Sequence, residues 1–124
     1  MKKRSDPRHL ARVKAVKALF ANSFSEGKST STDLSQKVLA NQTKIDKLIA
    51  QNAPAWPLSQ IAPIDLAILR LAVYELQFST KKEPYKVIID EAVEIAKQYG
   101  TNSSPSFING VLGSIIKKEG TKSS

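Results

Sequence analysis

Apolar residues recur at intervals of three and four along almost the whole chain, and the breaks between these runs fall at proline, glycine and short polar residues. That spacing turns one side of a 3.6-residue helix inward. The first run is Leu10, Val13, Val16, Leu19 and Phe20. It follows Ser5-Asp6-Pro7, a capping side chain and then proline at the first helical position, which predicts a helix to about Asn22. Residues 22–32 read as a polar loop. A second helix is predicted after Thr32, with Leu34, Val38, Ile45, Leu48 and Ile49 on one face. The segment from Ala53 to Pro57 is a rigid break with two prolines around Trp56, a ring expected to plug the core.

Pro63 opens a third helix, IDLAILRLAVYELQF, apolar on nearly every side and so predicted to be central. It ends before the polar run Ser79–Glu83. Pro84 opens the fourth, with Val87, Ile88, Ala92, Ile95, Ala96 and Tyr99 inward and Gly100 as its terminator. Ser104-Pro105 is expected to cap and start a fifth, with Phe107, Ile108, Val111, Leu112, Ile115 and Ile116 inward, and residues 119–124 form a frayed tail. Asn109-Gly110 would suggest a hairpin, but no strand flanks it. A helix position where another backbone comes close is the better reading. The pattern predicts an all-α fold of five helices in one domain, residues 1–124.

With 124 residues, the chain can bury roughly two-thirds of its surface and needs no staple to hold a core. It has no cysteine and one histidine, His9, which excludes disulfides, a Cys nucleophile and a zinc site of ordinary composition. No Gly-rich phosphate loop or nucleophile elbow occurs, and Asp90, Glu91 and Glu94 read as a solvated face, so no catalytic residue, cofactor or metal is expected. The basic start runs into polar residues rather than an apolar stretch, and Ile61–Val73 is broken by Asp65 and Arg70. No signal peptide or membrane span is expected, and the chain reads as cytoplasmic.

Charge sharpens the picture. Of a formal net +8, residues 1–17 carry +6: Lys2, Lys3, Arg4, Arg8, Arg12, Lys14 and Lys17 against Asp6. Charge so concentrated points to a polyanion. Arg4, Arg8 and Arg12, spaced by four, would form one stripe, with Lys2 and Lys3 extending it as an arm. Guanidinium groups bind phosphate bidentately and stack on bases, which suits single-stranded RNA. The bland reading is a solvated basic surface. A membrane surface would want bulky apolar residues opposite the basic face. His9 reads as plain surface or an RNA contact, Arg70 as a structural ion pair, and Asp65 as a pairing or partner-recognition acid.

From Ile45 to Leu112 the chain resembles the NusB family, in the order IDKLI, WPLSQIAPIDLAILRLAVYEL, EPYKVIIDEAVEIAKQYG and FINGVL. RHLARVKAVKALF looks like that family's arginine-rich first helix. The resemblance implies two small helical bundles packed together. It also implies a non-enzymatic factor that binds boxA RNA of nascent ribosomal RNA transcripts with the ribosomal protein NusE, within the antitermination complex of RNA polymerase. Carried over residue by residue, Arg8 and Arg12 match the arginine-rich motif, with Lys2, Lys3 and Arg4 beside it. Phe107 matches an aromatic beside the RNA path, Phe20 stands where the family has tyrosine, and Asp65 matches an acid facing NusE.

Two departures stand out. Arg8-His9-Leu10 replaces consecutive arginines, and the stretch from Phe20 to Ile45 is shorter by about a helix, leaving two helices for the N-terminal bundle. A NusB-like domain also begins certain ribosomal RNA cytosine methyltransferases; the absence of cysteine and the end at Ser124 favour a free-standing factor. The competing reading is a protein-interaction adaptor whose basic arm only raises solubility.

Overall fold

The computed structural model describes residues 6–24, 31–53, 55, 57–81 and 83–120. Trp56, Lys2, Lys3 and Arg4 therefore lie outside the described residues, and the expectations placed on them are neither met nor overturned. Among the described residues six α-helices follow one another: α1 (Pro7–Asn22), α2 (Asp33–Ala40), α3 (Gln42–Asn52), α4 (Pro63–Gln77), α5 (Tyr85–Tyr99) and α6 (Ser104–Glu119). A short 3-10 turn, Leu58–Gln60, precedes α4, and no strand occurs among the described residues.

The count is six rather than five because the second expected helix is two. Asn41 sits at φ −112°, ψ 12°, off the helical geometry. Its side-chain amide donates to the Lys37 carbonyl at 2.9 Å, while its own carbonyl accepts from Ile45 N at 3.0 Å. One residue thus closes α2 and opens α3, so the second expected helix becomes two.

Other starts follow the sequence signals. The Asp6 side chain accepts from Arg8 N at 2.8 Å ahead of Pro7. Thr32 and Ser35 satisfy each other's backbone N–H groups in a capping box. α4 packs against every other α-helix, as an apolar-all-round helix must. It joins two groups: α1 with α2, and α3 with α5 and α6. The core runs through both, with Val16, Val38, Ile45, Leu69, Ile95, Ile108 and Leu112 fully enclosed. Leu10 and Tyr99, expected inward, are instead exposed.

The α5–α6 turn is tight. Ser104 does not cap α6; its buried hydroxyl accepts from Thr101 N at 2.9 Å and braces the turn itself. Gly100 is required here by crowding, not by its backbone angles, since φ is −93°. A Cβ at Gly100 would lie 2.5 Å from Ser104 Oγ and 2.9 Å from the Ala96 carbonyl. Gly100→Ala should therefore cost about 1–3 kcal/mol, read as a fall in melting temperature. An unchanged melt would show that the turn can open. The close approach expected at Gly110 is absent: both Asn109 and Gly110 are exposed within α6, and nothing lies within 4 Å of a Cβ placed there. Past α6, Gly120 adopts φ 72°, and its carbonyl accepts from Gln77 Nε2 at 2.6 Å, so the expected tail begins anchored to α4.

Candidate nucleic-acid interface

Helix α1 sorts its cations by face. His9, Arg12, Val13, Val16 and Leu19 turn inward; Arg8, Leu10, Ala11, Lys14 and Lys17 turn out. The expected Arg4–Arg8–Arg12 stripe does not hold. Residues four apart drift around a 3.6-residue helix, and here the drift carries position 12 across the boundary of the buried face. Arg8 is open to solvent, 3.6 Å from Asp6. Arg12 is 3% exposed and meets three carboxylates. Its Nε and Nη2 donate to the two oxygens of Glu75 at 2.9 and 3.0 Å. Nη2 also reaches Glu83 Oε2 at 2.9 Å, and Nη1 reaches Glu91 Oε1 at 3.4 Å. As placed, Arg12 is buried among these carboxylates rather than on the outward face with Arg8.

Glu91, read from sequence as part of a solvated face, is 2% exposed; only Asp90 and Glu94 of that trio face water. His9 Nδ1 lies 3.0 Å from Glu91 Oε1, so the histidine is neither plain surface nor a free contact. Burial opposes the Arg12 charge, but the hydrogen bonds and attraction of Glu75 and Glu83 outweigh it and hold the guanidinium pKa above its ordinary value. For Glu75 the balance goes the other way. Burial, with repulsion from Glu83 and Glu91, exceeds the help from Arg12 and raises its carboxyl above the ordinary 4.5.

The folded state therefore holds the Glu75 proton more tightly than the unfolded chain does. Its contribution is fully present below the ordinary carboxylate range and is lost as pH rises through the raised value. Against Glu75→Gln, the wild type should gain relative stability as pH falls from neutral toward 4.5 in paired thermal melts. A gap that narrows on acidification would contradict this.

The outward cations that remain are Arg8, Lys14 and Lys17. Lys17 Nζ stands 5.4 Å from the Tyr99 ring centroid, an α1–α5 contact that also explains why Tyr99 stays at the surface. Between the starts of α1 and α2 lies a groove of about 430 Å³ lined by Pro7, Leu10, Ala11, Lys14, Thr32, Asp33 and Leu34. Its apolar lining comes from Pro7, Leu10, Ala11 and Leu34, with Leu10 an outward leucine.

Phe107 lies in the first turn of α6, half-buried against the core. Phe20 is half-buried too and meets Phe24 edge-on, ring centroids 4.9 Å apart; Phe24 is 65% exposed and was not singled out from sequence. Asp65 sits in the first turn of α4 and is 8% exposed, and its Oδ1 is buried without any hydrogen-bond partner. Arg70 forms the structural ion pair expected of it, with two bonds to Asp46 at 2.9 and 3.0 Å. No group of three metal-ligating side chains occurs among the described residues, and no helix is long and apolar enough to cross a membrane.

An all-helical body with a lysine- and arginine-faced first helix is the class of protein that the fold and this surface define. The NusB family model matches residues 4–117, and the chain belongs to that family. A transcription antitermination protein NusB of Roseiflexus sp. (strain RS-1) is 49% identical over 75 residues, 60% of this chain and 53% of its own. That of Syntrophotalea carbinolica is 51% identical over 85 residues, 68% of this chain and 54% of its own. The chain thus spans about half the length of these curated relatives. The solved structure of T. maritima NusB superposes with a TM-score of 0.83 at 35% identity, covering 98% of this chain and 96% of that one.

Proposed function

We propose that the protein is a transcription antitermination factor of the cytoplasm that binds boxA-type single-stranded RNA together with a NusE-like ribosomal protein, in support of ribosomal RNA synthesis. The observation that carries the reading is the outward cationic face of α1, Arg8, Lys14 and Lys17, at the end of the chain that holds most of the net charge. Phosphates attract such a face without sequence preference, and bases are then read by stacking on exposed rings. Phe107, at the start of α6, is the ring proposed for that stacking, and the Lys2–Arg4 arm adds cations ahead of α1.

Titration with boxA-like RNA across a salt series tests this. Arg8→Ala with Lys14→Ala should weaken binding and flatten the slope of log affinity against log salt by up to about 1.4 units, roughly 0.7 for each phosphate no longer neutralised. Unchanged affinity and slope would refute the assignment.

Asp65 and the Phe20–Phe24 pair are the proposed contacts to the NusE-like protein. A buried carboxylate oxygen without a donor is costly, and a donor from a partner would meet it. Asp65→Ala is expected to leave folding within about 1 kcal/mol while weakening the heterodimer in calorimetry. Lost stability with full partner affinity would make Asp65 structural.

A further inference from the structure

Two kinds of contact hold α1 to the rest of the molecule. Val13, Val16 and Leu19 bury apolar area, which turns one face of the helix inward but, being non-directional, does not by itself fix the final roll within that face. Arg12 does, because a guanidinium is a planar fork whose donors point along set directions. All three of its nitrogens are engaged, by Glu75 in the last turn of α4, Glu83 between α4 and α5, and Glu91 in the second turn of α5. One turn earlier, His9 meets the same Glu91. The acids lie 63, 71 and 79 residues away in sequence and converge on one side chain.

We propose that Arg12 is a positioning residue for the RNA-binding face: held by Glu75, Glu83 and Glu91, it sets the roll of α1 that turns Arg8, Lys14 and Lys17 outward, and it takes no RNA phosphate itself. The inference rests on the RNA-binding reading above. It gives the arginine-rich helix two chemically different kinds of cation, one that faces inward to orient and others that face outward to bind.

Arg12→Lys and Glu83→Gln, in the whole chain and below their melting temperatures, separate positioning from direct contact, with boxA-like RNA as the probe. Lysine keeps the charge and can hold a phosphate as a point charge, but it lacks the fork. Positioning predicts several-fold weaker RNA binding in both variants, with the salt slope unchanged. A direct phosphate contact predicts near-wild-type affinity for Arg12→Lys. It also predicts tighter binding for Glu83→Gln, because a competing carboxylate is gone; either result overturns the proposal.

The chain has no cysteine, so Val16→Cys places a single thiol on the buried face of α1. Its labelling should be slow alone and faster once Arg12→Lys is added; equal rates overturn the positioning role. A wild type that binds no such RNA would instead overturn the RNA reading, and the labelling rates would still decide whether Arg12 sets the docking of α1.

Discussion

Arg12→Met is expected to lower folding stability by about 3–5 kcal/mol, because it leaves the carboxylates of Glu75, Glu83 and Glu91 gathered around a side chain that can neither donate nor neutralise. The native pair is itself no large net gain, since burying charge is expensive; the loss comes from stranding one sign of it. Glu91 is as enclosed as Arg12, so water cannot readily replace the guanidinium there. In a thermal melt the loss should appear as a fall of roughly 10–20 °C. A shift of only a degree or two would mean that the acids escape to solvent when Arg12 is gone. Replacing Glu75 and Glu91 by glutamine in the same chain should then recover part of the stability, since the stranded charges are what Arg12→Met exposes.

Leu69→Ala is the second large effect, at about 2–5 kcal/mol, the range for emptying a leucine site in a close-packed core. Leu69 is fully enclosed on α4, the helix shared by both groups. The same substitution should lower the stability of the two groups together, leaving one cooperative transition by circular dichroism. Two separated transitions would show that α1–α2 and α3–α5–α6 unfold independently, contrary to the shared core.

How far the molecule was legible in advance depends on how local each cause is. Asp6-Pro7, Thr32, Pro63 and Gly100 act on their own turns, and the helices begin or end where those residues stand. The break at Asn41 was hidden because Val38 and Ile45 stay in phase across it, so the apolar pattern continues although the backbone does not. The surface was harder still. Spacing by four put Arg12 on one stripe with Arg4 and Arg8, but the acids that turn it inward are brought by the fold from α4, α5 and the segment between them. Ser104 was read as a cap because a serine before a proline usually is one; its hydroxyl is taken by Thr101 N instead. Phe24 gave no signal, since one aromatic in a polar loop carries no period, and its value as a contact comes from lying against Phe20.

The unmet oxygen of Asp65 has a consequence for the life of the protein in a cell. A chain that carries an unanswered hydrogen bond while free and has it answered in complex is stabilised by whatever concentration of partner surrounds it. At a partner concentration of a hundred times the Kd, mass action alone adds about 2.7 kcal/mol. Stability of that size separates chains that quality-control proteases leave alone from chains they clear. If the proposed pairing of Asp65 with a NusE-like protein holds, the abundance of this protein would track the supply of that partner, and orphan copies would be removed when the supply falls.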